Sequence, residues 1–88
     1  MNKNSAKLFA AQIGAEIPSL DLHGLYPDQA LEKLDFFIYQ CVEQNADSAR
    51  VIYGGGTGRL RDAVLEKIKT YSIILECYDE GGSCIIIF

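Results

Sequence analysis

Residues 49–65 read ARVIYGGGTGRLRDAVL, and this run decides the fold. Val51, Ile52 and Tyr53 are β-branched or aromatic, which predicts a strand over Ala49 to Tyr53. The glycine run Gly54 to Gly58 ends that strand. Beyond it Leu60, Val64, Leu65, Ile68 and Tyr71 recur at three- and four-residue spacing, the apolar stripe of a helix. The unit is a strand, a glycine loop and a helix in direct succession.

Working upstream, IPSLDL at Ile17 to Leu22 predicts another strand, ended by Gly24. Side chains alternate along a strand, so Leu20 and Leu22 share one side while Asp21 and His23 share the other. Pro27 suits the first turn of a helix, where a missing N–H costs nothing, and Asp28 complements the positive helix end. That helix runs to about Asn45, with Ala30, Leu31, Leu34, Phe37, Ile38, Cys41 and Val42 as its inward face. Downstream, SIILECY and SCIIIF flank Asp79, Glu80, Gly81 and Gly82, which predicts a hairpin with a four-residue loop. Such a loop would set Tyr78 opposite Ser83 and Cys77 opposite Cys84.

The order is therefore βαβαββ, an α/β (α+β two-layer sandwich) domain with a mixed four-stranded sheet. The first two strands are expected to be parallel through a right-handed crossover, and the hairpin adds an antiparallel pair. The 88 residues suffice for one domain, and 49% hydrophobic with 23% charged residues is ordinary globular usage. Residues 1–16 read as an extension or linker, or a short helix that docks on the domain, and 17–88 as the domain itself.

Twelve acidic residues against eight Lys and Arg give a net charge of −4. Generic polyanion binding is disfavoured, because it relies on cations that displace phosphate counterions. Any phosphate site must be local. Cys41, Cys77 and Cys84 are odd in number and lack metal-ligand spacing, so no disulfide framework, metal site or cofactor is expected, and a reducing compartment fits. The opening MNKNSAKLFAAQIGAE is too weakly apolar for a signal peptide or a membrane span, so a cytoplasmic location is expected.

Two constellations could carry chemistry. Asp21 beside His23 can orient an imidazole and raise its basicity, as a general acid or base near neutral pH requires. Gly54, Gly55, Gly56, Thr57 and Gly58, after a strand and before a helix, let backbone amides approach an anion. Arg59 and Arg61 follow in the first helical turn, where cations oppose the helix dipole by ~0.3–1 kcal/mol each and so ask for a compensating anion. A phosphodiester, which guanidinium binds bidentately, would serve. Ligands of open α/β sheets bind outside the carboxyl ends of the strands, where both constellations fall.

With LDLHG at Leu20 to Gly24 and YGGGTGRLR at Tyr53 to Arg61, the chain resembles the small MutS-related (Smr) domain over roughly residues 17–88, including the EGGSCIIIF ending. The resemblance implies a fold similar to the carboxyl-terminal domain of a bacterial translation initiation factor. It further implies binding of DNA or RNA, with nicking or cleavage in some members and action at ribosomes in others. By that resemblance Asp21 and His23 carry the LDxH motif and Gly56, Thr57 and Gly58 the glycine motif, while Arg59 or Arg61 contacts phosphate. The family loop usually begins with His and carries a basic residue next but one, where Tyr53 and Gly55 stand here. A titratable group and a cation are thereby lost, which bears on cleavage more than on binding.

Three functions stay open at this point. One is an endonuclease (a phosphodiester hydrolase) with Asp21, His23 and Arg61 as catalytic residues. A second is a non-catalytic module that recognises a phosphate backbone or a ribosome, and a third is a small protein-interaction domain. No membrane partner is expected.

Overall fold

A computed structural model describes residues 3–13 and 16–88. Of the expected extension over 1–16, residues 1, 2, 14 and 15 thus lie outside the described residues. The elements are α1 (Lys3–Gln12), β1 (Ser19–Asp21), α2 (Pro27–Glu43), β2 (Ser48–Ile52), α3 (Arg59–Ile68), β3 (Glu76–Asp79) and β4 (Ser83–Ile87). The sheet order is β1-β2-β4-β3, with β1 and β2 parallel and the other two pairings antiparallel. This is the mixed four-stranded sheet that the βαβαββ pattern predicts. Backbone bonds from Arg50 to Pro18 and from Leu22 to Ile52 extend the short β1 pairing by a residue at each end.

The run Cys84, Ile85, Ile86 and Ile87 is fully buried along β4, which accounts for its unbroken apolar character. Cys84 and Ile86 join Leu34, Ile38, Cys41, Val64 and Ile68 in a core between the sheet and helices α2 and α3. Ile85 and Ile87 face the other way and pack with Ala11 of α1 and the half-buried Leu8, Ile17 and Tyr78. The N-terminal helix therefore covers the second face of the central strand.

The end of α2 shows why it stops where it does. Asn45 takes a positive φ of 55°, the Asn45 amide donates to Val42 and the Ala46 amide to Cys41. This Schellman pattern satisfies carbonyls that the helix would otherwise leave unpaired. Of the expected inward face, Leu31 is only half-buried and Val42 is 43% exposed, so the apolar stripe is narrower than its spacing suggests. Tyr71 lies beyond α3, and its hydroxyl donates to Asp35 at 2.8 Å, tying α3's exit to α2.

The hairpin corrects the expected register. Asp79 pairs with Cys84, Tyr78 with Ile85 and Cys77 with Ile86, and the Glu80 amide donates to Ser83. Only Gly81 and Gly82 remain in the turn, with Gly81 at a φ of 98°. Adjacent glycines permit a tight two-residue connection whose twist matches the strands, and it wins over the four-residue loop. Cys77 and Cys84 are consequently diagonal rather than opposed neighbours. The neighbouring Cys77, followed by burial, pushes the Cys84 thiol above the ordinary range.

Among the described residues no helix is long and apolar enough to cross a membrane. Leu34 is wholly enclosed, so Leu34→Ala is expected to cost about 2–5 kcal/mol in urea-induced unfolding, while Val42→Ala stays within about 1 kcal/mol.

Candidate functional site

Asp21 closes β1, and two residues on His23 emerges on the same side, with the fully buried Leu22 anchoring the segment between them. One carboxylate oxygen, Asp21 Oδ1, accepts the His23 backbone N–H at 3.0 Å and meets His23 Nδ1 at 2.6 Å. These bonds, the side-chain one foremost, hold the Asp21 carboxyl below its ordinary 3.8. Because an ionised carboxylate only accepts, Nδ1 carries the proton and Nε2 of the neutral ring is the bare nitrogen. Both side chains are exposed. The pair can thus exchange protons with a ligand at the surface.

Gly24, at a φ of 79°, turns the chain from His23 into α2. Opposite it the glycine loop begins at Gly54, also left-handed at 78°, where an added Cβ would lie 3.4 Å from His23 Cβ. The loop's close approach to the histidine is therefore built from glycine geometry. Gly58, at 83°, is the N-cap of α3 and supplies no side-chain cap, while Thr57 Oγ1 accepts the Arg59 amide at 3.4 Å. The open helix end carries the positive pole of its dipole. Gly24, Tyr26, Tyr53, the glycine loop and both arginines line one groove of about 410 Å³.

The two arginines differ. Arg61 Nε donates to Asp79 Oδ2 at 2.9 Å, its Nη2 donates to the same oxygen, and its Nη1 reaches Asp62 at 3.0 Å. Part of the counter-charge expected from a ligand is thus supplied by the hairpin. Among the described residues the Arg59 guanidinium has neither hydrogen bond nor ion pair, and no hydrogen bond links His23 to either arginine. No group of three or more His, Cys, Asp or Glu among the described residues could hold a metal ion.

Asp79 escapes the sequence reading, which sees it only as turn chemistry. Its Oδ1 accepts the Tyr53 hydroxyl at 2.6 Å and the Gly81 amide at 3.1 Å, so the carboxylate joins β2, the hairpin and α3. Tyr53, where the resemblance expects a loop histidine, points into the core and is 4% exposed. Burial first, then the bond to Asp79, pushes its hydroxyl well above the ordinary tyrosine range. It is a pillar beneath the loop. No spacing rule links positions 53, 61 and 79, so only the folded chain reveals the cluster.

A family model described as Smr domain matches residues 20–87. The chain is 40% identical over 65 residues to a protein named Endonuclease MutS2 from Symbiobacterium thermophilum, a match covering 74% of this chain and 8% of that relative. It is 36% identical over 67 residues to the Exiguobacterium sibiricum protein of the same name, covering 76% of this chain and again 8% of the relative. The chain thus spans a small part of the length of these relatives. Its fold is similar to the crystal structure of the Smr domain of Thermus thermophilus MutS2, with a TM-score of 0.77 at 23% identity, covering 81% of this chain and 96% of that one.

The Tyr53 bond, followed by the Arg61 pair, holds Asp79 below its ordinary 3.8. A depressed folded-state pKa contributes stability above the ordinary value and loses it as pH falls through the folded one. Melting temperatures of Asp79→Asn should therefore trail those of the unaltered protein at neutral pH, and the gap should close on acidification below about 4. A gap that persists unchanged into strong acid would assign the loss to something other than this carboxylate's charge.

Proposed function

The chain belongs to the Smr domain family, and on that premise we propose that it binds nucleic acid through the groove between Gly24 and the glycine loop, with His23 and Asp21 placed for phosphodiester cleavage. The observation that carries this reading is the convergence of three parts at one sheet end: a helix N-terminus whose N-cap is glycine and an arginine without a counter-ion among the described residues, both lining the groove, and a carboxylate-oriented imidazole that stands outside that lining but beside the loop at Gly54. A phosphodiester complements all three. Its oxygens would take the α3 amides and Arg59, while His23 Nε2 would move a proton to or from the reacting oxygens. The amides and guanidinium would stabilise charge that develops on the phosphoryl oxygens.

The net charge of −4 fits a local rather than a diffuse phosphate site. We assign the binding unit to residues 17–88, with residues 1–16 as an extension, and expect it to act in the cytoplasm on DNA or RNA, including RNA on a ribosome. Recognition without cleavage is a second reading, favoured by the engagement of Arg61 with Asp79, which leaves Arg59 as the groove cation without a partner among the described residues.

Arg59→Ala should weaken binding of a labelled oligonucleotide and lower the slope of log affinity against log salt by about one. His23→Ala should leave affinity within a few-fold while cutting cleavage by roughly 10²–10⁴-fold. Intact cleavage in His23→Ala would remove the histidine from the reaction. Absence of cleavage in the unaltered protein, with salt-dependent binding intact, would select the recognition reading.

A further inference from the structure

We propose that Tyr26 is a stacking platform for an unpaired nucleobase, so that the groove takes single-stranded nucleic acid in preference to duplex. The proposal rests on the nucleic-acid reading above and names the substrate class of that same site.

Tyr26 is 74% exposed, yet it borders the groove that contains the glycine loop and both arginines. It also occupies the N-cap of α2, a position that favours Ser, Thr, Asp or Asn because their short oxygens accept the first helical amides. A phenol hydroxyl, carried at the far end of a rigid ring, is poorly placed to serve in that way. The helix start is secured by other means: Pro27 at the first turn, and Gln29 Oε1, which accepts the Tyr26 backbone amide at 3.4 Å. The ring therefore contributes little to folding while standing at the mouth of the candidate phosphate site.

The electrostatics call for such a group. In a chain of net charge −4, with Arg61 partly neutralised by Asp79, phosphate attraction alone is a weak source of affinity. Aromatic stacking supplies sequence-tolerant affinity for bases that are free to unstack, and a duplex withholds them. Leu25, beside Tyr26, also lines a second groove of about 570 Å³ that runs past Glu32, Lys33 and the exposed Phe36. An extended strand leaving Tyr26 along α2 thus meets a further aromatic ring, Phe36, in a groove where Lys33 is balanced by Glu32.

The test measures fluorescence anisotropy of labelled oligouridine, oligothymidine and the duplexes each forms with its complement, against the unaltered protein and Tyr26→Ala, Tyr26→Phe and Arg59→Ala. Tyr26→Ala is expected to lose roughly 5- to 100-fold in affinity for both single strands, with little change for the duplexes and an unaltered salt slope. Tyr26→Phe should retain the affinity. The oligouridine and oligothymidine arms show whether RNA, DNA or both are held. If Arg59→Ala lowers affinity and slope while Tyr26→Ala changes nothing, or weakens duplex and single strand alike, the stacking assignment fails alone. If the unaltered protein shows no salt-dependent binding to any of the four probes, the phosphate-site reading fails and this inference falls with it.

Discussion

The Asp79 carboxylate is the tie on which the site's architecture depends. It receives a hydroxyl from the last position before the glycine loop, a guanidinium from the first turn of α3 and an amide from the hairpin turn. The Gly82 carbonyl reinforces the tie by accepting both the Tyr53 and Gly54 amides, at 3.0 and 2.8 Å. The loop is thus held at both ends by a turn nearly thirty residues away in sequence. A glycine-rich segment has more conformational freedom to lose than any other, and fixing both ends of the loop reduces it.

That arrangement explains what was legible in the sequence. A period of two located β1 and a period of three to four located α2 and α3, because each buries one face, whereas β3 and β4 were legible only as β-rich runs around a turn. β4 is buried on both faces and shows no alternation, and of SIILECY only the part from Glu76 onward is strand. The Asp21–His23 pair and the glycine loop were legible because their chemistry is local: a carboxylate two residues before an imidazole, and three positive-φ glycines between a strand and a helix. Asp79 was not, since an ion pair spanning 18 positions leaves no trace in spacing. The hairpin register was missed for a related reason. Asp and Glu beside two glycines read as four turn residues, but Asp79 is drawn into β3 by the cross-strand pairing with Cys84, and its side chain is drawn toward Tyr53 and Arg61.

The departures at positions 53 and 55 take on a different meaning in three dimensions. Tyr53 is no vacancy left by a missing titratable group, because its ring fills core space with Val51 and Cys84 and its hydroxyl fixes Asp79. Gly55 is exposed with open space around its Cα, so a side chain could stand there without displacing anything. One difference is thus absorbed into packing and the other simply removes a side chain from the loop surface.

The two halves of the site sit on foundations of unequal firmness. The glycine loop grows out of β2, a central strand paired on both sides, whereas Asp21 and His23 hang from β1, a three-residue strand at the sheet's edge with one paired neighbour. Amide protons on β1 should accordingly exchange with solvent through small local openings, and those of β2 and β4 only when the whole domain unfolds. The glycine loop thus rests on the firmer strand, and the Asp21–His23 pair on a shorter and looser arm.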